Sequence, residues 1–112
     1  MKKSDLRGKV MKGPSGHLFY EIYSASSELV AVAAKLLGKK FGLRPLTNPA
    51  IGLSEAALNI KNDEVMLGMG WDIASGFYVV AYDEAGDIYI REITQYLNDE
   101  FEDPNYERYL SV

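Results

Sequence analysis

Between Val65 and Trp71 the apolar side chains fall on every second residue. Val65, Leu67, Met69 and Trp71 share one side of an extended chain; Met66, Gly68 and Gly70 share the other. Period two predicts a β-strand with one buried face, over residues 64–72, because a helix would scatter this set around its axis. The glycines opposite imply a bulge or the close approach of another group. Phe77–Tyr82, dense in aromatic and β-branched residues, is a second strand. Lys61-Asn62-Asp63 and Ala74-Ser75-Gly76 have turn chemistry. Ala56–Ile60 reads as a strand, with a short helix opening at Ser54 as the alternative. Asp83–Asp87 reads as a hairpin loop and Ile88–Ile90 as a short final strand. Residues 56–90 then form an antiparallel meander.

Ahead of the meander, Leu18–Tyr23 reads as a strand apolar on both faces, after the turn Gly13-Pro14-Ser15-Gly16. Residues 1–16 read as a mobile basic arm with a weak strand near Lys9–Lys12, and residues 17–112 as a single domain. A helix opens near Ser26, whose hydroxyl suits an N-cap, and carries Leu29, Val32, Ala33, Leu36 and Leu37 as one stripe. Gly42 suits its C-terminus, with Gly38 as an earlier stop. Residues 43–54 read as a loop anchored by Leu46 and Ile51. A second helix is expected from Glu92 to Phe101, packing through Ile93, Tyr96, Leu97 and Phe101. Asp103 followed by Pro104 predicts one more short turn, packed through Tyr106, Tyr109 and Leu110. The fold class is α+β: an antiparallel sheet of four to five strands with two helices on one face.

Composition narrows function by exclusion. The 112 residues contain no cysteine and a single histidine, His17. Thiolate nucleophiles, cysteine-based metal sites and multi-histidine sites are therefore ruled out. No G-x-S-x-G elbow surrounds Ser15, and the Gly68-Met69-Gly70 pair lacks the third glycine and following helix of a dinucleotide site. Asp83, Glu84 and Asp87 do not match a calcium loop, because Ala85 and Thr94 take ligand positions. No catalytic residue, metal or cofactor is assigned, and enzymatic activity is not expected. There is no signal-like leader and no stretch of 18 apolar residues, so the expectation is a cytoplasmic protein with no membrane span.

Charge is unevenly spread. Residues 1–44 carry nine Lys/Arg against three acids, a net of +6; residues 45–112 carry three against thirteen, a net of −10. The densest acidic run is Asn98-Asp99-Glu100-Phe101-Glu102-Asp103. Such an acidic surface repels nucleic acid and steers basic proteins. Eight tyrosines are present, a residue suited to interfaces because it buries large area at low entropy cost. Asp99, Glu100, Glu102 and Asp103, with Tyr96 and Tyr106, are therefore the candidate partner-binding residues. In size, acidity and lack of a catalytic constellation the chain resembles the small bacterial immunity and antitoxin proteins that neutralise basic toxins. That resemblance is one of type, carried by no signature residues. It implies an inhibitor of a basic protein partner. The alternative is a small-ligand or sensor domain using the 42–54 loop with Arg44, Trp71 and Asp72. A homodimer through an exposed edge strand is compatible with either reading.

Overall fold

The computed structural model describes residues 5–46 and 56–111. In chain order these form β1 (Lys9–Lys12), β2 (Leu18–Ile22), α1 (Leu29–Phe41), β3 (Arg44–Pro45), β4 (Ala56–Lys61), β5 (Met66–Asp72), β6 (Gly76–Ala81), α2 (Glu84–Glu100) and a 3₁₀ helix (Pro104–Tyr109). The strands make one antiparallel sheet in the order β1-β2-β6-β5-β4-β3. This is the expected α+β domain, with six strands where four to five were expected. The extra strand is β3, two residues inside the segment read as a loop. Residues 47–54 of that loop lie outside the described residues.

The alternating pattern sets which face is buried. Tyr20, Val79, Met69 and Leu58 are register partners across β2, β6, β5 and β4, and all four are buried. Ile22, Phe77 and Trp71 make a second row, and Ala81, Leu67 and Ile60 a third. Leu29, Val30, Ala33 and Leu37 of α1 and Ile90, Ile93 and Leu97 of α2 close over this face. On the opposite face Phe19, Val80, Gly68 and Asn59 align across the strands. The close approach expected at Gly68 comes from a side chain: Tyr82 reaches across it to donate to Asn59 Oδ1 at 2.8 Å, leaving no room for a β-carbon.

The clearest departure from expectation lies at residues 83–90. No hairpin loop and no final strand form there; α2 begins at Glu84 and absorbs both. Asp83 caps it by accepting from Gly86 N at 2.8 Å, and Glu84 and Asp87 sit at the positive end of the helix dipole. Gly86, Ile90, Ile93 and Leu97 are buried at helical spacing. That spacing outweighs the strand preference of Ile88-Tyr89-Ile90. Gly86 lets the helix lie flush on the sheet, since a β-carbon there would come within 2.9 Å of the Ala81 side chain.

The ends of α1 also differ in detail. Ser26 is not its cap: the helix starts at Leu29, with Glu28 at the capping position and no side-chain cap bond. Ser26 N instead donates to Tyr109 O at 2.7 Å, and its buried hydroxyl finds no partner among the described residues. Gly42 closes the helix in the left-handed conformation, as expected.

The N-terminal segment is built into the domain. Leu6 is fully buried, and β1 pairs along β2. Asn98 of α2 grips the backbone between them: its Oδ1 accepts from Gly8 N at 2.8 Å and its Nδ2 donates to Gly8 O at 3.0 Å. The same Oδ1 accepts from Tyr20 OH at 2.7 Å. Residues 5–12 are thus packed against the sheet and α2, and do not extend as an arm.

Gly76 starts β6 at φ +73°, and a β-carbon there would collide with the carbonyls of Ile22 and Tyr23. Both effects oppose any other residue. Gly76→Ala should lose at least about 2 kcal/mol in chemical denaturation; unchanged stability would mean the β5–β6 turn is not as described.

Candidate partner-binding surface

Local sequence is enough to gather the four candidate acids. Asp99 and Glu100 lie in the last turn of α2, and Glu102 and Asp103 in the link to the 3₁₀ helix. The negative end of the helix dipole disfavours acids here, and no basic residue occupies that last turn. None of the four is in an ion pair among the described residues, where the single pair is His17–Asp87 at 3.0 Å. Three do hold local hydrogen bonds. Asp99 accepts from Gln95 at 2.9 Å, Glu100 from Tyr106 OH at 2.6 Å, and Asp103 from Asn105 N at 2.9 Å. The last caps the 3₁₀ helix that opens at Pro104, where the short turn was expected.

Tyr106 packs on Phe101 with ring centroids 5.0 Å apart. Its phenol is pushed up to about 12, first by the hydrogen bond to Glu100, then by burial and the surrounding negative charge. Tyr96 lies one turn before Glu100 on α2, edge-on to Phe41 at 5.7 Å. Burial raises its phenol, with Glu100 adding to the effect. Lys40 sits 5.7 Å over the Tyr96 ring. The six candidate residues thus follow one another along the chain, from the second half of α2 into the 3₁₀ helix.

Of the alternative ligand site, Arg44 stands apart from the neighbours Trp71 and Asp72, and residues 47–54 of the loop lie outside the described residues. Arg44 pairs with Lys61 and Trp71 with Ala56, at opposite ends of β4. Five residue steps of strand separate them, roughly 16 Å. Trp71 Nε1 donates to Ala25 O at 2.8 Å, fixing the sheet to the segment before α1. Asp72 Oδ1 accepts from Ala74 N and Ser75 N, at 2.9 and 2.6 Å, and so organises the β5–β6 turn. Arg44 instead borders an open hollow of about 730 Å³ with Phe41, Lys61 and Glu64.

Two features escaped the sequence reading. Phe41 meets both Tyr89, at 6.1 Å, and Tyr96, at 5.7 Å, in a valley between α1 and α2. Tyr89 and Tyr96 are seven residues apart, a two-turn repeat on one helix face. Reading residues 88–90 as strand hid that spacing. Tyr89 OH donates to Glu64 at 2.8 Å and accepts from Asn62 at 3.1 Å. Asn62 pulls its titration down, but Glu64, burial and the charge of Glu92 together raise it.

The second feature is the clasp of Asp87, which receives His17 Nδ1 at 3.0 Å and Leu18 N at 2.8 Å. The Leu18 N–H, then His17, hold its carboxyl below the usual carboxylate range. A depressed native value means the clasp stabilises the fold above the usual aspartate range, near pH 4. That contribution is lost as pH falls through the lowered value. The stability gap between the wild type and Asp87→Asn should therefore shrink across that window in urea titrations. A gap constant from pH 7 to pH 2 would contradict the clasp.

No cluster of three or more metal-ligating side chains occurs among the described residues, and no helix there is long and apolar enough to cross a membrane. Compared with known proteins, the chain matches no family model, no curated protein and no solved structure.

Proposed function

We propose that this protein is a non-enzymatic interaction module that binds a basic protein partner through the acidic, tyrosine-bearing end of α2. One observation carries the reading. Four acids, Asp99, Glu100, Glu102 and Asp103, gather at the end of α2 and the link beyond it, the first two where the helix dipole opposes them, and none is in an ion pair among the described residues. Acids placed against a helix dipole and left without an ion-pair partner cost stability, and such a cost is expected at a functional surface. Tyr96 and Tyr106 beside it supply area with a polar handle, as interface anchors do. The mechanism is occlusion: the carboxylates mimic phosphate charge and steer a basic surface into contact, and the tyrosines fill its hollows. An immunity or antitoxin protein acting on a basic toxin, such as a nuclease, fits this description. The separation of Arg44 from Trp71 removes support from the ligand-sensor alternative.

The test is a tagged pull-down from lysate of the native host, washed at low and high salt. The quadruple variant Asp99→Asn, Glu100→Gln, Glu102→Gln, Asp103→Asn runs beside the wild type. Each replacement keeps a hydrogen-bond acceptor and removes only charge. A basic protein retained by the wild type at low salt, thinned at high salt and lost with the variant is expected. Equal capture by both would overturn the acidic-end reading.

A further inference from the structure

The valley between α1 and α2 continues from the acidic end of α2 toward its N-terminus. It holds two adjoining hollows, of about 590 and 480 Å³, which share Lys40, Phe41 and Glu92 as walls. The first has Tyr89 as its aromatic wall and Glu64 and Glu92 as its acids. The second reaches Tyr96 and Asp99, two of the candidate partner-binding residues. At the lip of the first, Ile88 is 64% exposed, a large aliphatic side chain out of place on a solvated helix face. The valley already displays its preferred chemistry. Lys40 holds its ammonium over the Tyr96 ring, so an aromatic face here takes a cation.

Resting on the proposed function, we infer that this valley receives an arginine-bearing segment of the basic partner. One guanidinium would enter the first hollow, between Glu64 and Glu92 and against the ring of Tyr89, while the partner's apolar contacts cover Ile88. Arginine fits better than lysine. Its planar head both stacks on aromatic rings and forks to carboxylates. Glu64 and Glu92 outnumber Lys40 in that hollow, so the local charge favours a cation. The second hollow carries Arg91 and Lys40 against Glu92 and Asp99, and is the less attractive of the two for a cation.

The probe is a short capped oligoarginine peptide, titrated at low ionic strength into the full chain and followed by amide-resolved NMR. An oligoglutamate of the same length is the control. Shifts at Phe41, Tyr89 and Glu92 are expected, absent with oligoglutamate. The pair Glu64→Gln, Glu92→Gln keeps the acceptor for Tyr89 OH and should weaken oligoarginine about tenfold or more. Shifts confined to residues 99–103, with the double variant binding as the wild type does, would overturn the valley proposal and leave the acidic-end reading standing. Equal response to oligoarginine and oligoglutamate would overturn both.

Discussion

Asn98→Ala should strongly destabilise this protein. The side chain is 8% exposed and satisfies three groups at once: Gly8 N–H, Gly8 C=O and Tyr20 OH. Removing it leaves those groups buried without partners. Each orphaned group costs about 1–3 kcal/mol, so a total loss of at least about 3 kcal/mol is expected. That is a large share of the roughly 5–15 kcal/mol by which domains are stable. The loss should be non-additive with Tyr20→Phe, which removes one hydrogen bond and should cost about 1 kcal/mol alone. Burial already raises the Tyr20 phenol well above its ordinary value, consistent with a neutral donor in a dry site. Denaturation midpoints of the two single variants and the double variant check this. A loss under about 1 kcal/mol for Asn98→Ala would mean the N-terminal segment is not anchored through Asn98.

The second large effect has opposite signs in two measurements. The quadruple neutralisation Asp99→Asn, Glu100→Gln, Glu102→Gln, Asp103→Asn removes two acids from the last turn of α2, where the dipole opposes them. Relief of about 1 kcal/mol follows, a rise of roughly 4–6 °C in Tm. The same change should slow association with a basic partner on the order of 10–100-fold at low salt, because steering by charge acts mainly on the on-rate. A surface kept for binding at the expense of stability produces this crossing pattern. Calorimetry beside binding kinetics checks it; a variant both less stable and unchanged in binding would show the acids to be structural.

Much of the fold was legible in the sequence because the strands bury one face. Leu67, Met69 and Trp71 could only alternate inward on a sheet, and they do so against Leu58, Ile60, Phe77 and Val79, with Val65 buried just ahead of the strand. Leu29, Ala33 and Leu37 marked α1 in the same way. The reading failed at Asp83–Ile90, where local preference and tertiary spacing conflict. Ile88, Tyr89 and Ile90 favour a strand, and Gly86 resembles a hairpin glycine. The N-cap at Asp83 and the buried Ile90, Ile93 and Leu97 decide for a helix. Asn98 was illegible for another reason. Its partners lie 78 and 90 residues away in sequence, and no local pattern marks such a contact. Of the candidate site, the acids and Tyr106 were visible because they are sequence neighbours. The meeting of Phe41 with Tyr89 and Tyr96 was not, since it requires α1 and α2 to be packed first.

The central claim is that charge at the end of α2 drives recognition. The most direct measurement is the association rate of the purified partner with the wild type and the quadruple variant, followed by stopped flow across a range of ionic strength. The wild-type rate should fall steeply as salt rises, while the variant starts slow and stays nearly flat. Two superimposable salt profiles would contradict the claim, because recognition would then owe nothing to Asp99, Glu100, Glu102 and Asp103.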